Sequence, residues 1–382
     1  MTCAKKKMVD FVRHEVPQVQ NFIKSGNQFL KEVQKLIANS VREGKLSQHR
    51  GRAYFKEILH TILFFGHINI PIIEPEEILG QNEVQLLSSK YPDVFQKYNT
   101  HLPSRPPYTA LLYAVVEIVG PRANEVLNCL MARNDKMIVE LAESKSSKCG
   151  NAFVSTVISY CYFWDADVRR QTTGNYFGAS VSCKGRQQKE IMIDILCHHT
   201  WHRAIGLAVC VGNWYNKQAF RFPSTVHCRA YKINPPVAAN TPDSQHNLRS
   251  GVEMSNSLEI SRSLNQRISL IPRAPYETCN DLLTDINYDL IPIGHKHPYC
   301  EFGTSAECES LSQLLYANRQ IVERLEYLSE QIDCRTLINS KLERLKENLK
   351  SLCSDVLEFN VGRHFEFYDP AEGITALERC QR

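Results

Sequence analysis

The sequence predicts an α+β chain. Its N- and C-terminal segments form a helical base, and the middle forms an antiparallel β-sandwich, jelly-roll-like, inserted between them. Three observations predict this. Apolar residues recur every three or four positions up to about residue 145. A period of two takes over after Cys149-Gly150, in stretches rich in β-branched and aromatic residues. From Thr304 to Val361 there is neither glycine nor proline, and helical spacing returns. The domains expected are a helical one at 1–147, a β-sandwich at 148–303 and a long amphipathic helical segment at 304–382.

In the first domain, Phe22, Ile23, Phe29, Leu30, Val33, Leu36, Ile37 and Val41 stripe a helix over 8–42, and Gly44 suits its C-cap. A second amphipathic helix, "RAYFKEILHTILFF" at 52–65, ends at Gly66 and Pro71. Short helices follow, then an apolar helix at 109–119, then one opened by Pro121 that runs to about 143.

In the middle domain, "NAFVSTVISYCYFW" and "GNYFGASVSC" alternate as strands, and so do "KEIMIDILCHHTW" and "RAIGLAVCVGNWY". The stretch "FRFPSTVHCRAYKI" closes the series. Residues 234–266 are polar and proline-bearing and read as a long loop, with late strands at 267–272 and 288–294.

In the last domain, heptads counted with Leu325 at position a place Leu311, Asn318, Leu325 and Ile332 at a, with Leu314, Ile321 and Leu328 at d. This seam predicts oligomerisation through Leu311, Leu314, Ile321, Leu325, Leu328 and Ile332, with asparagine at a setting register. Arg335 and Lys346 in the seam favour instead two helical segments packed on the N-terminal domain.

The 382 residues are 43% hydrophobic and 23% charged with a net charge of +4, an ordinary globular composition without the basic excess of a dedicated nucleic-acid binder. No run approaches the ~18 apolar residues of a membrane span. The N-terminus lacks an apolar leader, so the 14 cysteines are expected as free thiols in a reducing compartment, the cytoplasm or a virion.

Three groups of residues carry candidate chemistry. "CHHTWHRAIGLAVC" (197–210) concentrates histidine and cysteine, but as a strand it divides them between two faces. As a helix, His198 and His202 have zinc-protease spacing, yet His199 stands where that motif needs glutamate. His295, His297, Cys300 and Cys308 have close local spacing and donor types suited to zinc, the one cofactor the sequence offers. Arg169, Arg170, Lys184, Arg186 and Lys189 form a basic set near Tyr162, Phe163 and Trp164, a combination suited to RNA backbone and bases. No nucleophile elbow, phosphate loop or dinucleotide glycine pattern occurs, so no catalytic residue is assigned.

In outline, the layout resembles the intermediate-shell capsid proteins of double-stranded RNA viruses of the reovirus kind, trimers with a helical base and a jelly-roll head. The likeness is one of layout, with no motif behind it, and transfers no residue's role. It implies a non-enzymatic assembly protein, a viral shell or nucleocapsid-associated component, with itself as partner. The alternative is an intracellular protein- or RNA-binding module using the sandwich. A zinc- or cysteine-dependent enzyme is the third reading.

Overall fold

The computed structural model describes residues 3–137, 151–165, 168–183, 185–215, 218–233, 271–275, 277–289, 301–328, 334–352 and 365–371. The N-terminal helices are α1 (Cys3–Arg42), α2 (Gln48–His67), α3 (Pro75–Leu79), α4 (Gln81–Lys90), α5 (Pro92–Lys97), α6 (Pro107–Val119) and α7 (Ala123–Met137). Helix α2 starts where Ser47 accepts a hydrogen bond from Arg50 N, satisfying one orphan amide of the first turn. The α1 stripe of Phe22, Phe29, Val33 and Leu36 packs on α2, as its spacing predicts. Helix α2 itself is buried from Tyr54 to His67 and carries Lys56, Glu57, His60 and Thr61 inward.

The strands are β1 (Val157–Asp165), β2 (Arg170–Gln171), β3 (Tyr176–Ala179), β4 (Phe220–Arg221), β5 (Val226–Lys232), β6 (Ile271–Arg273), β7 (Asn287–Tyr288) and β8 (Glu326–Tyr327). Six of them form one mixed sheet centred on β1 and β5. β1 pairs antiparallel with β2, β3 and β5, while β5 adds antiparallel β6 and parallel β7. β4 and β8 make a separate two-stranded ribbon.

The expected sandwich does not form among the described residues. Two of its expected strands are helices: α8 (Arg186–Ile195), continued by a π-helical segment (Leu196–Thr200), and α9 (Arg203–Tyr215). The physical reason lies in burial. Ile191, Met192, Ile195 and Leu196 have helical spacing while Ile191, Ile193 and Ile195 alternate, and every residue from Ala204 to Gly212 is buried. An element enclosed on all sides shows no polar face from which to read its period. The loop expected at 234–266 lies outside the described residues.

The C-terminal region is also not one helix. It comprises α11 (Ala306–Ala317), α12 (Arg319–Glu323), β8 and α13 (Cys334–Leu352); α10 (Glu277–Leu282) precedes it. Asn318 stops α11 by turning its side-chain amide back onto Leu314 O at 2.9 Å. Asparagine competes with the backbone in this way, so at this position a it interrupts the helix rather than setting a register.

Helix α11 lies on the sheet, against β1 and β3. Ser310 Oγ is 2.8 Å from Ser159 Oγ and 3.0 Å from Cys161 Sγ. Gly178 permits this approach, because a Cβ there would overlap Ala306 O and Ser310 N. Helix α13 packs on α8, the π segment and α9. Leu337, Leu345 and Leu349 are buried on its inner face, and Lys341 takes the fourth place in that stripe. One contiguous apolar core joins the N-terminal helices, β1, β3, α8, α9 and α11. No helix among the described residues is long and apolar enough to cross a membrane.

Candidate functional site

Segments far apart in sequence meet at a cavity of about 590 Å³. Helix α2 contributes Arg50, Ala53, Tyr54 and Glu57, the middle of α6 contributes Tyr113, and the loop before α6 contributes Ser104 and Arg105. The π segment adds His199, α11 adds Gln313, and residues 367–371 form the remaining wall. That wall is pinned. Tyr368 N donates to Leu102 O and Leu102 N to Glu366 O, both at 2.9 Å. The Tyr368 hydroxyl donates to Asp93 Oδ2 at 2.6 Å, and its ring stacks on His60 with centroids 4.0 Å apart. Phe367 stacks on His199 at 3.7 Å.

The lining is polar and ordered by ion pairs. Arg50 Nη2 lies 2.7 Å from Glu117 Oε2, which also accepts from the Tyr54 hydroxyl at 2.8 Å. Burial alone would raise the Glu117 pKa, but the hydrogen bonds from Arg50 and Tyr54 outweigh it and hold that carboxylate below its ordinary range. Arg105 Nε sits 2.8 Å from Glu57 Oε1, a charge contact in which the N–H does not point along the line of approach. The Arg105 guanidinium also rests 4.9 Å from the centre of the Tyr113 ring. Burial raises the Glu57 pKa, with Arg105 and Arg50 pulling it back down. His199 titrates below its ordinary value because it is desolvated and lies near His198 and Arg105, so it is neutral at physiological pH.

Beneath the cavity floor lies Glu309 of α11, 2% exposed. Trp201 Nε1 donates to its Oε2 at 2.6 Å. Its Oε1 accepts from the Tyr113 hydroxyl and, at 3.3 Å, from Gln313 Nε2. Burial pushes its pKa up to about 7, against the opposing pull of Arg105 and the Gln313 hydrogen bond. Two carboxyl groups displaced upward beside an arginine and a cavity are the usual marks of a site that binds or moves protons.

Of the residues singled out in the sequence, His199 lines the cavity. His295, His297 and Cys300 are outside the described residues. Cys308 is fully buried on α11, its thiol 3.5 Å from Ser305 Oγ. Among the described residues no group of histidine, cysteine and carboxylate side chains is arranged to hold a metal ion. Cys197 and Cys210 point into the core beside one another, while His198 and His199 are exposed and lie against Phe367.

The basic set is dispersed. Arg169 and Arg170 are exposed at the Asp165 end of β1. Arg186 pairs with Glu190 at 2.9 Å and Glu301 at 3.2 Å at the start of α8, and Lys189 is half-buried. β3 leads into α8 from the Ile158 end of β1, so the two parts are separated by roughly 20 Å of strand. Lys184 is outside the described residues.

Of the expected oligomer seam, Leu311 and Leu314 are 0% exposed, Ile321 2% and Leu325 7%, all within the protomer, whereas Leu328 is 42% exposed. Ile332 is outside the described residues.

Of the cavity's polar residues, only His199 was singled out by sequence reasoning. The available signal was the set of charged positions inside the apolar stretch "RAYFKEILHTILFF" and Glu309 just ahead of Leu311, Leu314 and Leu315. Comparisons with protein-family models, curated proteins and solved structures return no match.

Proposed function

We propose that this chain is a small-molecule-binding protein and that the cavity between α2, α6, α11 and residues 367–371 is its binding site. One observation carries the reading: a polar cavity assembled from five separate stretches of chain, whose arginines and carboxylates are already oriented by one another. Arg50 and Arg105 stand against Glu57, Glu117 and Asp369. This near-balance of charge favours a ligand that is neutral or carries both signs. Tyr54, Tyr113 and Gln313 supply hydrogen-bonding groups of both senses.

The test is a thermal-shift screen of the full chain against small polar metabolites. A ligand at about a hundred times its Kd adds about 2.7 kcal/mol to stability. Ala53→Leu fills the cavity and removes no polar pair. Hits abolished by Ala53→Leu and kept by Leu328→Ser support the reading. A screen without hits, or hits indifferent to Ala53→Leu, refutes it.

Self-assembly is the second reading. It rests on the exposed Tyr316, Tyr327 and Leu328 rather than on the buried leucines of the expected seam. Sedimentation of a Tyr327→Ser, Leu328→Ser variant tests it: a smaller folded species supports assembly through this surface.

A further inference from the structure

We propose that Tyr113 is the proton-transfer group of this cavity and Glu309 its proton store, so that the ligand belongs to the class of small molecules bearing an ionisable hydroxyl group. This rests on the reading of the cavity as a binding site.

The geometry points to a pair with two states. Every neighbour bonded to Glu309 is a donor: the Trp201 indole N–H, the Tyr113 O–H and the Gln313 amide N–H. Three donors suit the ionised carboxylate. Once Glu309 is protonated, its own O–H needs an acceptor; the Tyr113 oxygen offers a lone pair without moving, whereas Gln313 would have to turn its amide over to present its carbonyl oxygen. The Tyr113 proton is then released to point into the cavity that Tyr113 lines. With Glu309 ionised, Tyr113 presents a lone pair to the cavity; with Glu309 protonated, it presents a proton. At a pKa of about 7, Glu309 populates both states near neutrality.

Glu309 is too deeply buried to exchange its proton directly with a ligand, and Tyr113 connects the two. The Arg105 guanidinium, paired with Glu57 and 4.9 Å from the centre of the Tyr113 ring, lines the same cavity and is the cation available to an oxygen anion formed there. The step balances without a further reactant. The ligand O–H bond breaks, its proton goes to the Tyr113 oxygen, the Tyr113 proton goes to Glu309, and the ligand is left as an oxyanion beside Arg105.

The test uses benzenesulfonyl fluoride on the full chain, read by peptide mass spectrometry. The Tyr113 oxygen bonds to sulfur, fluoride leaves, and the phenolic proton goes to Glu309. Tyr113 is expected to react faster than the exposed Tyr316 and Tyr327, with a rate that rises through pH near 7 and then levels. An unassisted phenol climbs instead toward its ordinary pKa of ~10. Glu309→Gln should slow Tyr113 about a hundredfold, the lower end of general-base assistance, and leave the exposed Tyr327 unchanged. If Glu309→Gln does not fold, the wild-type pH profile decides alone.

Labelling of Tyr113 that is blocked by Ala53→Leu but indifferent to Glu309→Gln, or that climbs toward the ordinary phenol pKa, overturns the proton pair and leaves the cavity reading standing. Absence of Tyr113 labelling, or labelling that Ala53→Leu does not affect, overturns both.

Discussion

Replacing Asp194 with asparagine is expected to destabilise the protein by about 3–5 kcal/mol, the cost of leaving a buried charge without its counter-ion. Asp194 on α8 and Lys341 on α13 have side chains that are 0% exposed, with Lys341 Nζ 3.3 Å from Asp194 Oδ1. Arg344 Nε donates to Asp194 Oδ2 at 2.8 Å, and Arg344 Nη2 donates to Asp194 Oδ1. Asparagine preserves volume but removes the negative charge that two cations share. Arg344 is 34% exposed, so Arg344→Met leaves Asp194 paired with Lys341. That change should cost less, about 1.5–3 kcal/mol for the lost charged hydrogen bonds. An Asp194→Leu, Lys341→Met double variant should recover much of the loss, because it removes both buried charges together. Urea unfolding followed by circular dichroism measures all three. At a slope of about 3 kcal/mol per molar, Asp194→Asn moves the midpoint down by about 1–1.7 M. A shift corresponding to less than about 1 kcal/mol would refute the docking of α13 onto α8 through a buried ion cluster.

Gly178→Ala should cost about 3 kcal/mol or more, since its Cβ meets backbone atoms of α11 that cannot rotate away; a melting temperature unchanged from wild type would refute the close contact. Leu325→Asp should unfold the protein by several kcal/mol, whereas Leu328→Asp should stay within about 0.5 kcal/mol, because only the first is buried. Sedimentation showing a folded, smaller species for Leu325→Asp would restore that leucine to an intermolecular interface. Burial holds His60 down to about 3 from its ordinary 6.5. Its contribution is therefore complete above pH 6.5 and is lost as pH falls, because the unfolded chain takes up a proton that the native state refuses. At about pH 5 the loss is on the order of 2 kcal/mol. His60→Phe, which retains an aromatic ring against Tyr368, should remove that part of the pH dependence; equal slopes for both proteins in urea titrations across this range would contradict it.

Part of the candidate site was visible in the sequence as residues out of place, but not as a site. Glu57 and His60 interrupt an otherwise apolar stripe, and Glu309 sits four residues before Gln313, just ahead of the buried Leu311 and Leu314. Whether such a residue faces water or the interior depends on what packs against its helix. The answer here comes from Arg105, Tyr113 and Trp201, each on a different element. In the histidine- and cysteine-rich stretch the composition was legible but not the element, which is helical rather than a strand. Its cysteines fill core, and its histidines brace Phe367.

By itself the sequence determined the elements with one wet and one dry face. The α1 stripe, helix α7 and strand β5 follow from a periodicity that solvent contrast imposes. Only the tertiary structure decided the elements without that contrast. Helices α8 and α9 lie inside the core, where alternation and helical spacing coexist in the same apolar run. Asn318 could extend a heptad or end a helix, and α11 stops there because the residues before it are held on the sheet through Gly178 and Ser310. The cavity likewise exists only after folding. Its charges are separated by up to about 320 positions along the chain, from Arg50 to Asp369, and only packing brings them together.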